Sequence, residues 1–302
     1  MNVSIIIVNY NTKELTRNCL QSIYEQTKDI SFEVIVSDNG STDGSIEMVK
    51  SDFPQVILIE NKANLGFGAA NNRGLDIAKG KYIFYLNSDT VLLNNAVKMF
   101  FDFWENAENK EKIGALGGNL LDKDSNITHS YGDFPSLVLL LKKIIRRWLA
   151  LNLKCILKIL NLRFVPNYKN QSEIFGEVEY ITGADLFVKN DKYARYDERF
   201  FLYSEECDLQ FKLYIANKAR IIISEPKIIH LQGCSDNTVA EKLSSQYSSF
   251  GKIQMDISNV KFLKYNIGKV QAFFAKIMTT FFWLHPVLFF NTRKYLKELW
   301  AI

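Results

Sequence analysis

Asp89 follows an apolar run in the segment YLNSDT. A carboxylate there can ligate a hard divalent cation and leave the other coordination positions to water and a diphosphate. Taken alone, an aspartate of this kind reads equally as a turn or helix-capping residue. A second carboxylate, Asp38, opens the segment DNGSTDGS. It could accept from the N–H of a pyrimidine ring, and Gly40 two residues on lets the chain turn tightly. The segment FFLYSEECDL brings Glu205, Glu206 and Asp208 to the start of a predicted helix, beside Phe200, Phe201 and Tyr203. Acids in a first helical turn complement the helix dipole. Against an aromatic wall they also suit a general base whose pKa is tuned by partial burial. His230 ends an apolar run and could complete a metal site with Asp89, whereas His129 and His285 have no comparable context.

Other chemistries fit poorly. NLGFGAANNRG parallels a dinucleotide-binding fingerprint, with Gly66 and Gly68 in place, but Asn71 occupies the third glycine position and the segment follows the third apolar run instead of the first. The acidic ribose contact is also missing at its usual distance, so a Rossmann dehydrogenase is not expected. There is no G-x-S-x-G elbow, and neither Cys207 nor Cys234 has the context of a reactive thiol.

The elements that would position these residues are legible in the periodicity. Short β-branched runs at Val3–Val8, Glu33–Ser37, Gln55–Ile59 and Tyr82–Leu86 alternate with helix-compatible stretches. Such alternation predicts an α/β fold, a parallel sheet covered by helices, with ligands gathering outside the carboxyl ends of the strands. The polar segments Asn9-Tyr10-Asn11, Asp38–Ser41, Asn61–Gly68 and Asn87-Ser88-Asp89 all follow strand runs and are expected to share one rim. Asn11 and Glu14 are spaced as a capping box for the first helix, with Leu15, Cys19, Leu20 and Ile23 on its inner face. Further on, a helix is predicted around 94–108, strands at Gly114–Leu121 and Val178–Val188, and a helix at Ser204–Ala216. Two separate short apolar runs follow at Arg220–Ser224 and Ile228–Leu231.

The chain of 302 residues is long enough for one large or two modest domains, at about 150 residues per domain. Its composition, 47% hydrophobic and 13% aromatic, excludes wholesale disorder. Four scattered cysteines without a C-x-x-C pair, and the absence of an apolar leader before Lys13, are the expectation for a reduced, cytosolic protein. The net charge of +4 conceals two basic segments, Leu137–Phe164 at +7 and Ile257–Ile302 at +6, which leave −9 for the remainder. In the first, Leu141, Ile144, Ile145, Trp148, Leu151, Cys155, Ile159 and Leu162 recur at helical spacing while Lys142, Lys143, Arg146, Arg147, Lys154 and Lys158 take the other side. That pattern predicts a helix lying in an anionic lipid interface. The C-terminal segment is rich in Phe, but Lys276, His285 and Pro286 interrupt it before a membrane-spanning stretch accumulates. The competing reading packs both segments on the protein body or on a second subunit.

In order, SIIIVNYN, VIVSDNGSTDGS, NLGFGAANNRG, YLNSDT, ITGADLFVK, DERFFLYSEECDL and IIH resemble the glycosyltransferase family 2 enzymes of GT-A fold, especially the rhamnosyltransferase-like branch that builds bacterial surface polysaccharides. The resemblance covers Met1 to Ser235. It implies a mixed, mostly parallel sheet flanked by helices and a nucleotide-sugar-dependent catalytic domain over 1–240 carrying the basic insertion 137–164; the pattern of the C-terminal segment adds the expectation of a helical membrane-associating region over 241–302. It further implies that Tyr10, Asp38, Asn64, Phe67, Asn71, Asn87 and Ser88 surround the nucleotide. Asn87-Ser88-Asp89 stands for the D-x-D motif with its first Asp replaced by Asn, so Asp89 and His230 would hold Mg²⁺ or Mn²⁺. Glu206 would be the base, supported by Glu205, with Gly183, Ala184 and Asp208 on the acceptor side. The implied reaction is inverting transfer from a dTDP- or UDP-linked sugar, rhamnose or a hexose, to a polyprenyl-diphosphate-linked saccharide at the inner leaflet. Homo-oligomerisation stays open and no nucleic acid is implied. A sugar-nucleotide pyrophosphorylase would carry a glycine-rich, lysine-containing loop where this chain has NYNTKEL, and the loss of an acid at Asn87 would suit a non-catalytic scaffold.

Overall fold

The computed structural model describes residues 1–159, 172–231 and 247–302. The expectations placed on Leu162, Cys234 and Ser235 lie outside the described residues, as do those on the side chains of Cys155, Lys158 and Ile159. The chain divides into two compact units, one of residues 1–134, 172–201 and 205–231 and another of 135–159, 202–204 and 247–302. The basic segment expected as an insertion in the first domain thus groups with the C-terminal helices.

The first unit begins as β1 (Val3–Asn9), α1 (Lys13–Gln26), β2 (Phe32–Asp38), α2 (Ser45–Asp52), β3 (Ile57–Glu60), α3 (Phe67–Leu75) and β4 (Tyr82–Leu86). It continues with β5 (Thr90–Leu92), α4 (Ala96–Asn106), β6 (Ile113–Leu121) and β7 (Tyr131–Gly132). In the second unit lies α5 (Leu137–Ile159); the first resumes with β8 (Gly176–Glu177), β9 (Tyr180–Ile181), β10 (Asp185–Lys189), α6 (Glu205–Ile215) and β11 (Ala219–His230). The principal sheet runs β3-β2-β1-β4-β10-β6-β11-β5, with β8 also on β11. The four predicted strands are parallel neighbours, and the register sets Asn9 beside Asp38 and Asp38 beside Glu60. Their carboxyl ends therefore form the expected rim.

Alternate residues of β1 feed opposite cores. Val3, Ile5 and Ile7 join the α1 and α4 side, and Ile6 joins Ile35, Ile83 and Tyr85 on the other face. A strand buried on both sides reads as a continuous apolar run, which is why these strands are conspicuous in the sequence.

β10 is antiparallel to both β4 and β6, so the sheet is mixed, as the resemblance implied. Two expectations need correction. The apolar run Val178–Val188 is two strands, because β9 pairs with β7 in a separate small sheet while β10 joins the main one, with Thr182–Ala184 between them. Conversely, the runs at 220–224 and 228–231 form one strand, β11, whose register with β6 shifts between Ile223 and Lys227. Pro226, which has no N–H to give to a ladder, lies in that shift.

The capping box is also absent. Thr12 occupies the N-cap of α1 without a side-chain cap bond, and Asn11 is left-handed at φ 54°. Asn11 Oδ1 instead accepts from the Thr42 N–H at 2.8 Å, and the Lys13 N–H donates to Asp43 Oδ2 at 2.9 Å. The cap comes from the loop after β2.

The second unit joins α5 to α7 (Phe250–Phe262), α8 (Lys269–Trp283), α9 (Pro286–Thr292) and α10 (Leu296–Ala301). Leu140, Ile144 and Leu151 of α5 pack with Ile253, Ile257, Val260, Phe282 and Trp283. Arg147, expected on the solvent side, belongs to this packed face. Its guanidinium donates to Asp256 Oδ1 at 2.6 Å and to the Tyr247 carbonyl at 2.9 Å, and lies 4.5 Å from the Phe282 ring centroid.

Candidate active site

The rim is held together by Asn9 and Asp38. The Asn9 amide donates to Asp38 Oδ2 at 2.6 Å and to Ser41 Oγ at 3.0 Å, while its Oδ1 accepts from Thr12 and Thr16, each at 2.7 Å. Asp38 Oδ1 accepts from the N–H groups of Gly40 and Ser41 at 3.0 and 2.8 Å. Asp38 is only 1% exposed, with both oxygens committed to shaping the turn. Asn39, which sequence reasoning passed over, links the loops behind β2 and β3. It accepts from Asn61 at 3.0 Å and donates to Asn64 Oδ1 at 3.3 Å and to the Gly66 carbonyl at 3.2 Å. A cluster of amides in turn-forming segments gives no sequence signal that separates such a brace from an ordinary turn.

Of the other residues expected near the nucleotide, Tyr10 is 47% exposed at the end of β1, and Asn64 is exposed with Oδ1 accepting from the Gly66 N–H. Phe67 opens α3, its ring edge-on to Tyr196 at 6.1 Å. Asn71 is buried within α3 and donates to the Phe67 carbonyl. Its neighbour Asn72, another residue missed in the sequence, exchanges two bonds with the Tyr196 backbone and donates to Glu198. Ser88 Oγ lies 3.1 Å from Thr12 Oγ1, joining the Asn87–Asp89 turn to the start of α1.

Asp89 and His230 meet as expected. Asp89 Oδ1 is 3.3 Å from His230 Nε2, and the Asn87 amide nitrogen lies 3.4 Å from the same ring atom. The pairing of β11 with β5 sets His230 opposite Thr90, and the Leu231 N–H donates to the Asp89 carbonyl. Neither Asn87 Oδ1 nor His230 Nδ1, both buried, has a hydrogen-bond partner among the described residues. A carboxylate oxygen and an imidazole nitrogen therefore meet beside the Asn87 amide, a donor set compatible with Mg²⁺ and more so with Mn²⁺, which tolerates nitrogen better. No group of three or more His, Cys, Asp or Glu placed to hold a metal occurs among the described residues, so a cation here would take its remaining ligands from elsewhere.

Glu205 and Glu206 begin α6, directly after Tyr203 and Ser204, both in the left-handed region at φ 67° and 62°. Consecutive left-handed residues other than glycine are strained, and strain of this sort concentrates at functional sites. Gly183 stands beside Glu206: a Cβ there would lie 3.5 Å from Glu206 Cβ and 3.8 Å from Phe67 Cε1. The next carbonyl, that of Ala184, accepts from the Asn87 N–H at 3.0 Å. The dipeptide Gly183-Ala184 thus has Glu206 at one end and the Asn87–Asp89 turn at the other.

Glu205 is 4% exposed, and its carboxyl is pushed well above the usual carboxylate range by burial first and by the neighbouring Glu206 second. A surface acid serving only the helix dipole would be solvated. The Tyr196 hydroxyl is buried without a partner among the described residues, and burial together with Tyr85, Glu205 and Glu206 raises its pKa. Tyr180 is raised by burial, then by Cys207 and Glu206. Both tyrosines escaped sequence reasoning because nothing local distinguishes them from core aromatics. Asp208 is buried and ion-paired to Lys212 at 2.6 Å.

The sheet order and the site at its carboxyl edge define a GT-A fold. Staphylococcus aureus TarS matches with a TM-score of 0.53 at 14% identity, over 93% of this chain and 43% of that one. The mannosyltransferase PcManGT from Pyrobaculum calidifontis, solved with GDP-Man and Mn²⁺, matches with a TM-score of 0.54 at 15% identity, over 99% of this chain and 73% of that one. Residues 4–131, which carry the β1–β4 rim, match the family model for Glycosyl transferase family 2. A poly(ribitol-phosphate) beta-glucosyltransferase from Bacillus spizizenii is 33% identical over 123 residues, which is 39% of this chain. That stretch is 19% of the relative, so this chain matches about a fifth of its length.

Proposed function

We propose that the protein is an inverting glycosyltransferase that moves a sugar from a nucleoside diphosphate to a hydroxyl of a lipid-linked saccharide in cell-surface polysaccharide synthesis. The observation that carries this reading is the Gly183-Ala184 dipeptide, flanked by Glu206 on one side and by the Asn87–Asp89 turn on the other. Rhamnose from dTDP-rhamnose or a hexose from a UDP-sugar is the donor proposed. The family match over residues 4–131 and the relative named for glucosyl transfer to poly(ribitol phosphate) support the class of reaction.

Glu206 accepts the proton of the acceptor hydroxyl as that oxygen forms its bond to the anomeric carbon. The bond from that carbon to the diphosphate oxygen breaks on the opposite face, the electron pair leaves with the nucleoside diphosphate, and the configuration inverts. Burial and the neighbouring Glu206 both push the Glu205 carboxyl upward, which disfavours two negative charges side by side at this pair. Asn9, Asp38 and Asn39 hold the loops of the nucleotide side in shape. Asp89, His230 and Asn87 Oδ1 would hold Mg²⁺ or Mn²⁺, which when bound supplies charge neutralisation at the departing diphosphate.

Release of nucleoside diphosphate from candidate donors, with and without acceptor, tests the proposal. Glu206→Gln is expected to lower transfer by about 10²–10⁴ while the protein stays folded and binds donor. Near-normal turnover in that variant would refute the assignment of the base. A wild-type protein that binds donor but neither transfers nor hydrolyses would be a scaffold, and formation of diphosphate from a sugar phosphate and a nucleoside triphosphate would mark a pyrophosphorylase.

A further inference from the structure

Two helices of the second unit are apolar on the wrong side. In α5, Leu140, Ile144 and Leu151 point into the core, yet Leu141, Ile145, Trp148, Leu149 and Ile156 form a different face that is 37–56% exposed. In α8, Ala272, Ala275, Thr279, Phe282 and Trp283 are buried, while Val270, Phe273, Phe274, Ile277 and Phe281 share the opposite face and are 43–70% exposed. Spacings of three and four place each set along one side of its helix. The outer face of a helix packed on a water-soluble body is ordinarily polar.

The charges carried by these two helices have one sign. Lys142 and Arg146 are exposed next to Leu141 and Ile145, and α5 contains no acid. Lys269 is exposed at the start of α8, and Glu298 is the sole acid from Ile257 to Ile302. Trp148 and Trp300 are both partly exposed, as suits indoles that sit where hydrocarbon meets water. No single described helix is long and apolar enough to cross a membrane, and the segments Lys269–Trp283 and Pro286–Ala301 reach that length and composition only as a pair bent by 113°. An apolar protein partner would explain the exposed rings but not the exposed Lys142, Arg146 and Lys269 beside them.

We propose that α5 and α8 form a docking surface for an anionic lipid bilayer, on which the protein lies without spanning it. Trp148, Phe273, Phe274 and Phe281 enter the boundary between headgroups and acyl chains, and Lys142, Arg146 and Lys269 meet lipid phosphates. The inference is independent of the catalytic proposal, since none of these residues belongs to the candidate active site.

Cosedimentation of the full chain with vesicles tests it. Binding is expected to phosphatidylcholine vesicles containing phosphatidylglycerol, to be weak on phosphatidylcholine alone, and to fall steeply as salt rises. Lys142→Glu combined with Arg146→Glu should lower partitioning by about thirtyfold or more. Phe273→Ser combined with Phe281→Ser, both at exposed positions, should lower it by about tenfold or more with the circular dichroism spectrum unchanged. Absence of binding, equal binding to neutral vesicles, retention by vesicles at high salt, or indifference to either pair of substitutions would overturn the proposal. So would a dimer in sedimentation velocity that Phe273→Ser dissociates while no vesicles are bound, because the faces would then belong to a second copy of the chain.

Discussion

Gly183→Ala adds one methyl group beside Glu206 and Phe67. The new carbon would meet Glu206 Cβ at 3.5 Å, Glu206 Cγ at 3.7 Å and Phe67 Cε1 at 3.8 Å, all ordinary contact distances, and the residue is not in the left-handed region. The folded state therefore accepts the methyl without a clash. The unfolded chain loses glycine's extra freedom, which should raise stability by about 0.4–1 kcal/mol and the melting midpoint by about 1–4 °C. The same methyl occupies the approach to Glu206. A displacement of about 1 Å at a reacting centre can cost about a hundredfold, so kcat/KM for the acceptor should fall by about 10–100-fold, or about 1.4–2.7 kcal/mol. Gly66→Ala is the contrasting control: its Cβ would sit 2.4 Å from the Phe201 carbonyl at a φ of 88°. That variant should lose stability and activity together. The measurements are a thermal melt and initial rates of nucleoside diphosphate release against acceptor concentration. If Gly183→Ala folds normally and keeps its full kcat/KM, the acceptor does not pass this dipeptide and the placement of Glu206 as base is wrong.

Other outcomes follow from particular contacts. Arg147→Met strands Asp256, which is 2% exposed and otherwise bonded to the Trp283 indole at 3.0 Å, and should cost about 3–5 kcal/mol in urea unfolding of the full chain; a loss below about 1 kcal/mol would show the pair to be solvated. Glu205→Gln should become progressively more stable relative to the parent as pH rises above about 4.5, the ordinary value for glutamate. The sign follows because the folded protein holds this proton more tightly than the unfolded chain, so the parent loses stability between the unfolded and the raised folded pKa; parallel stability curves from pH 4 upward would refute the assigned burial cost. Asp43→Ala removes the acceptor of the Lys13 N–H and should destabilise the protein by about 1 kcal/mol in chemical denaturation, whereas Asn11→Ala would show the larger effect if the sequence-predicted cap were correct.

The parallel strands β1 to β4 and the polar residues behind them were legible in the sequence because strands buried on both faces carry uninterrupted apolar runs, and the rim is whatever follows each run. Asp89 and His230 were paired in the sequence reading because each ends a strand run, whereas the closeness of Glu206 to Gly183 was not read there. No local period links residues as far apart as Asn87 and His230, 143 positions. Tertiary structure decided the rest. Whether β10 ran parallel or antiparallel depended on which strands it found as neighbours, and the runs at 220–224 and 228–231 merged because β6 offered one continuous edge. The cap of α1 passed from Asn11 to Asp43, and Arg147 turned inward to a carboxylate more than a hundred residues away. Hydrophobic period and turn chemistry act over a few residues and so can be read from sequence. The partner of a buried charge or an orphan N–H depends on how distant segments pack, and only the folded chain specifies it.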